Sequence, residues 1–240
     1  MANFNTHFVV GAGASSFVSG TLLAMGSISS TEALMAFAFG TVGSLLPDID
    51  SNRSKAIELA FTLFAMLSTV LMIFVQVNRY SLIEMFIMAI LLFALLRFGM
   101  IEVLRKISIH RGMFHSIPAG IIWGLGTVIL VKHIFYIDNF IAWIYGIMVT
   151  FGYLVHLTLD EIYSVDLKNR RIKRSFGTAM KLYKIDSNFS VIQTGLMYIL
   201  IIYLFKKAPD SAELRDILLS QEAWERFTNI LLPSGAWFFH

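Results

Sequence analysis

Apolar residues run in long blocks along the chain, at about residues 8–26, 31–46, 56–77, 82–101, 117–137, 140–159 and 190–205. A helix needs roughly 20 such residues to cross the hydrocarbon core of a bilayer. The pattern therefore predicts an all-α, polytopic transmembrane helical bundle of about 5–7 membrane segments. The third to sixth blocks are long and strongly apolar. The first is rich in Gly and Ser, and the second and seventh are short, so these three are expected to be tilted, re-entrant or packed inside the bundle. Leu, Ile, Phe and Met dominate with little two-residue alternation, which favours helices over a barrel. Gly40 with Gly43, and Gly120 with Gly124, suit close helix packing.

Polarity changes in two places. Residues 160–189 form the one long polar connection, with Lys168, Arg170, Arg171, Lys173, Arg174, Lys181 and Lys184. After Lys207, residues Leu214, Ile217, Leu218, Trp224, Phe227 and Leu231 recur at helical spacing among charged positions. That spacing predicts a C-terminal amphipathic helix on the membrane surface or capping the bundle. The chain thus divides into a membrane domain, 1–205, and an amphipathic tail, 206–240.

Composition fixes the class. With 57% hydrophobic and only 15% charged residues in 240, the chain is an integral membrane protein. It has no cysteine, so disulfides and thiolate metal sites are excluded and any transition-metal site must use His, Asp and Glu. A net charge of +3 gives no reason to expect nucleic-acid binding. The segment MANFNTH lacks the basic n-region of a cleavable signal, so the first apolar block is expected to be retained.

Four polar clusters then stand out: Asn5 to His7, Pro47 to Asp50, HRGMFHS from His110 to Ser116, and HLTLDE from His156 to Glu161. If seven segments cross, all four clusters fall on one side of the membrane. That side also carries about twelve Lys and Arg against about six on the other, which by the positive-inside rule makes it cytoplasmic. The shared side requires only that the first two segments both cross or both fail to cross.

Each cluster has a chemistry. His156 and Asp160 share one helical face, with Cβ atoms about 5–6 Å apart, a spacing suited to metal ligation or to a simple His–Asp hydrogen bond. Ionisable groups at membrane depth favour ligation. Pro47 ends the preceding helix in an extended or turn entry. Asp48 and Asp50 then point to different sides, one toward a metal and the other toward the ligand shell or an Arg. In HRGMFHS, His115 is a candidate ligand, His110 a ligand or proton-transfer partner, and Arg111 a planar cation suited to phosphate. His7 is a further candidate ligand, and Glu161 a possible extra ligand or base. Glu84 and Arg97 are expected to pair with each other or with another helix, their spacing not deciding which, and His133 and His240 are assigned no role. The chain has no G-x-S-x-G elbow, P-loop, H-E-x-x-H or dinucleotide fingerprint.

With His7 before the first apolar block, LLPDID, HRGMFHS and HLTLDE in this order, the chain resembles the YdjM-like family of inner-membrane proteins, described as predicted metal-dependent hydrolases. The likeness covers roughly residues 1–165. It implies that His7, Asp48, His110, His115, His156 and Asp160 belong to one site, with Asp50 matching a second aspartate. Phe114 stands where Thr is commoner. The order of His, Asp, His and H-x-x-x-D is also distantly similar to zinc-dependent phospholipase C. The resemblance implies a membrane-embedded metal-dependent hydrolase of the bacterial inner membrane, and with the positive-inside reading and the basic connection the expected substrate is a lipid or lipid-linked (phospho)ester met at the cytoplasmic face. One or two Zn²⁺ or Mn²⁺ ions would be held by His7, Asp48, His115, His156 and Asp160, with Asp50, His110 and Arg111 in catalytic roles. The alternative is a divalent-metal transporter or channel lined by the same residues.

Overall fold

A computed structural model describes residues 3–50, 62–66, 68–70, 72–73, 80–99, 115–166, 171–172, 180–183 and 188–231. Its helices are α1 (Phe4–Ala24), α2 (Ser30–Gly43), α3 (Leu82–Ala94), α4 (Ile117–Phe135), α5 (Asn139–Ser164), α6 (Asn188–Lys207), α7 (Ala212–Leu219) and α8 (Gln221–Leu231). A 3-10 turn at Leu46–Asp50 follows α2, and a π turn at Leu95–Gly99 extends α3. In the polar connection, Val165 and Asp166 pair with Ile172 and Arg171 in a two-residue antiparallel ladder.

Helix starts are written locally. Asn3 Oδ1 accepts from the Thr6 amide at 2.8 Å. Ser29 with Glu32 and Ser81 with Glu84 form reciprocal capping boxes. Glu84 therefore serves the start of α3. Ser116 caps α4, with Pro118 in the first turn where a missing N–H costs nothing. Tyr136, in the left-handed conformation at φ 55°, ends α4.

Five of these segments are long and apolar enough to cross a membrane: Phe4–Ala24, Leu82–Gly99, Ile117–Phe135, Asn139–Ser164 and Phe189–Lys207. The second block, expected to be tilted, re-entrant or packed inside the bundle, is the last of these. α2 has 14 residues, about 21 Å at 1.5 Å per residue, against a hydrocarbon core of about 30 Å. Ala33, Met35, Ala36 and Phe39 to Gly43 are buried, so α2 is a core helix inside the bundle. Most of the expected third span, 56–77, lies outside the described residues.

α5 is the axis around which the others pack, the most enclosed of the five membrane-length helices. α2 runs parallel to it and α1 and α4 antiparallel, through contacts made by small residues. A methyl group on Gly152 would strike the Gly40 carbonyl oxygen and the Ser44 amide, and one on Gly43 would strike the Val149 backbone. On α1 the buried residues are His7, Gly11, Ser15 and Ser19, one per turn. Gly11 is filled by the Ser44 side chain, and Gly40 by Ser15. Gly124 lies against Gly146 and Thr150, and Gly120 against the Tyr153 ring. Between lipid-facing helices the hydrophobic effect supplies no drive, and close van der Waals contact of this kind takes its place. Phe39 stacks on Tyr145 with centroids 4.9 Å apart, filling the space beyond the glycines.

The tail is two helices, where the amphipathic pattern predicted one. Ser220 ends α7 through its amide to the Ile217 carbonyl, and its hydroxyl then caps α8 by accepting from the Ala223 amide. Together they cover the far ends of α1 and α5 around an apolar cavity of about 350 Å³ lined by Phe17, Leu22, Phe140, Leu214, Trp224 and Phe227.

Gly152→Ala is expected to destabilise the purified protein by about 1–3 kcal/mol, the usual range for overpacking. Gly126→Ala, where nothing lies within 4 Å, is expected to leave Tm unchanged or slightly raised. Equal shifts in thermal unfolding would contradict backbone contact between α2 and α5.

Candidate metal centre

Four chain segments meet at one end of the bundle. α1 brings His7 in its first turn, the 3-10 turn after α2 brings Asp48, the residue before the α4 cap is His115, and α5 brings His156 and Asp160 near its C-terminus. The convergence expected from segment parity is present because α1 and α2 are antiparallel. Ser44, at the end of α2, donates its hydroxyl to the Thr41 carbonyl at 2.7 Å and lies 3.3 Å from the His7 carbonyl, a second acceptor within reach.

Asp160 lies among three imidazoles. His7 Nε2 is 3.4 Å from its Oδ1, while His156 Nε2 and His115 Nε2 are 3.5 and 3.8 Å from its Oδ2. Asp48 Oδ1 lies 3.7 Å from His156 Nε2. His7, His156 and Asp160 are 1%, 0% and 3% exposed. The His7 and His156 rings stack at 3.6 Å, inclined by 10°, and His115 crosses His156 at 62°. The described residues thus contain two sets of donors whose ligand atoms lie within 4.8 Å of one another, His7/His156/Asp160 and Asp48/His115/His156.

The distances separate ligation from plain hydrogen bonding. An N–H···O bond spans about 2.7–3.2 Å, and all four separations exceed that. Two donors on one ion at about 2.1 Å are roughly 3.0–3.4 Å apart, depending on the bond angle, and a modest contraction brings these groups there. Buried polar atoms normally find partners, yet His156 Nε2 and His7 Nδ1 make no hydrogen bond among the described residues. An ion suits His156 Nε2 on both counts, so the residues present fit a metal.

His156 is pre-set for this role. Its Nδ1 lies 2.7 Å from the Ser44 carbonyl oxygen. That oxygen can only accept, so Nδ1 carries a proton and Nε2 is the nitrogen turned toward Asp48 and Asp160, the usual orientation of a ligating imidazole. Sequence reading missed Ser44, because a backbone carbonyl used as an acceptor leaves no residue-type signature.

The other candidates fall as follows. Asp50's side chain, and all of His110 and Arg111, lie outside the described residues. Glu161 belongs to neither donor group. Glu84 is a capping residue, Arg97 lies over the Phe98 ring at 5.3 Å, and His133 is in the last turn of α4, away from the centre. Lys181 pairs its backbone with Ser116 and accepts from the Ile117 amide at 3.1 Å, tying the basic connection to the chain beside His115.

The model of the YdjM inner membrane protein family matches residues 1–207. The chain belongs to the YdjM inner membrane protein family. Membership extends past the expected limit near residue 165 and takes in α6, the last membrane-length helix of the bundle. No curated protein and no solved structure matches the chain. What this member of the YdjM family does is therefore argued from its own site.

Selective ¹⁵N-histidine NMR of the metal-free protein is expected to show one ring locked as the Nδ1–H tautomer. Its resonances should vanish in His156→Ala. A His156 signal in the Nε2–H form would contradict the orientation.

Proposed function

We propose that this protein is a metal-dependent hydrolase acting on a lipid or lipid-linked phosphoester at the cytoplasmic face of the inner membrane. The observation that carries the proposal is the convergence of His7, Asp48, His115, His156 and Asp160 at one buried end of a membrane bundle. Holding acceptor-only carboxylates and inward-turned imidazoles away from water is costly without a cation. Imidazole with carboxylate suits Zn²⁺ or Mn²⁺. When bound there, such an ion supplies Lewis acidity toward a phosphoryl oxygen and an activated water near neutral pH.

The chain's own contribution is positional. α5 holds His156 and Asp160 one turn apart on a single face, the Ser44 carbonyl fixes the His156 ring, and the tight α1–α2 contact keeps bulk water from His7. Hydrolysis forms a bond from the water oxygen to phosphorus and breaks the ester P–O bond, while the water's proton passes to the leaving alkoxide. We assign the proton transfer to Asp50 or His110 and the phosphate contact to Arg111, from their places in the polar clusters.

Two features support a lipid as substrate. A groove of about 450 Å³ between α4, α5 and α6, lined by Ile121, Phe151, Leu154, Ile201 and Phe205, has the apolar character of an acyl or prenyl chain. The Lys and Arg excess on the side of the clusters suits anionic headgroups, at about 1 kcal/mol for each residue near the surface. The site lies at helix ends, whereas transport sites sit near the bilayer midplane in broken helices, and this favours hydrolysis over transport.

The full chain, purified in detergent, is expected to carry stoichiometric Zn²⁺ or Mn²⁺ and to release product from a phospholipid or prenyl phosphoester in mixed micelles. Asp48→Ala and His156→Ala should each weaken metal binding by at least about 10-fold, since even residues that only support ligands account for 10–100-fold, and should abolish turnover. Absence of metal, unchanged metal content in both variants, or metal uptake into proteoliposomes without lipid turnover would overturn the proposal.

A further inference from the structure

The planes of the imidazole rings limit how the centre can be filled. The lone pair of an imidazole nitrogen lies in the ring plane, so a well-ligated ion lies in that plane, about 2.0–2.1 Å from the nitrogen. His115 and His156 are inclined by 62°, so their planes intersect and one ion can lie in both. His7 and His156 are inclined by only 10° with centroids 3.6 Å apart. Their planes run side by side, separated by roughly a van der Waals contact of 3.5 Å. An ion shared midway would leave each plane by roughly 1.8 Å on a bond of about 2.1 Å, far from either lone pair. The donor atoms of His7, His156 and Asp160 lie close enough together for one ion, but the stacked rings do not permit it.

The same stacking suits two ions. Placed in neighbouring parallel planes, they would be separated by about the ring spacing, which matches the roughly 3.5–4 Å between the ions of two-metal hydrolytic sites. The Asp160 carboxylate is divided in the matching way, with Oδ1 nearest His7 Nε2 and Oδ2 nearest His156 Nε2 and His115 Nε2. His156 itself cannot bridge, because its Nδ1 is committed to the Ser44 carbonyl.

We propose that the centre is dinuclear: one ion lies in the plane of His156, held with His115, Asp48 and Asp160 Oδ2, and a second lies in the plane of His7, held by Asp160 Oδ1. This inference rests on the metal reading of the site and deepens it. The His156 position would have four protein donors and the His7 position two from the described residues, so the His7 position would leave more room for substrate. A paired centre of this spacing would stabilise both the attacking and the leaving oxygen in an in-line displacement, which suits a phosphoryl group.

The test is Mn²⁺ reconstitution of the chelated full chain, with stoichiometry by elemental analysis and spin coupling by electron paramagnetic resonance. The wild type is expected to bind two Mn²⁺ per chain with an exchange-coupled spectrum. His7→Ala should retain one, with an uncoupled six-line signal, and Asp160→Asn should lose the coupling. The wild-type spectrum decides the question even if a variant fails to fold. One Mn²⁺ per chain with an uncoupled signal in the wild type would overturn the dinuclear inference and leave the metal reading standing, as would two ions without coupling. No bound Mn²⁺ at all would overturn both.

Discussion

Gly40, Gly43 and Gly152 let the backbones of α2 and α5 touch, and the geometry of the polar centre depends on that contact. Because no side chain separates the helices, the Ser44 carbonyl comes within 2.7 Å of His156 Nδ1. The 3-10 turn that follows then delivers Asp48 to the opposite nitrogen of the same ring, at 3.7 Å. Ser44 also occupies the notch at Gly11, with its hydroxyl 3.3 Å from the His7 carbonyl, so a single residue sets α1 and α5 relative to α2. A bulkier residue at any of these contacts would change the centre through the backbone, without touching a ligand.

Burial gives the centre its chemical character. His7, His156 and Asp160 are almost fully enclosed, where charge is weakly screened and an uncompensated carboxylate is costly. A divalent cation relieves that cost, while the apolar walls of α1, α2 and α5 hold the donors in one arrangement. Covering the distant end of the bundle with α7 and α8 leaves the polar end as the place where donor groups and the basic connection, anchored at Lys181, come together.

Much of this was legible in the sequence, for physical reasons. Membrane helices must be long and apolar, so the spans at 82–101, 117–137 and 140–159 were readable from hydropathy. His and Asp at the edges of apolar blocks are rare enough that His7, Asp48, His115, His156 and Asp160 stood out, and the reversal of direction from α1 to α2 and from α4 to α5 brings them to one end. The shortness of the 31–46 block set it apart from plain spans, but a helix buried in protein and one facing lipid have the same composition, so only its 14 largely buried residues in the fold show which of the open readings holds. Ser220 was hidden within an amphipathic pattern that continues across it. The stacking of His7 on His156 was beyond reach, since it depends on the crossing of α1 and α5 rather than on any spacing along the chain.

The proposed pairing of metal ions around Asp160 can be seen in crystals of the full chain grown with Mn²⁺ or Zn²⁺, with anomalous diffraction recorded at the metal edge. Two peaks are expected roughly 3.5–4 Å apart on either side of the Asp160 carboxylate, one in the His7 plane and one in the His156 plane. A single peak midway between the two rings, peaks only near the bilayer midplane, or no peak at Asp160 would contradict it.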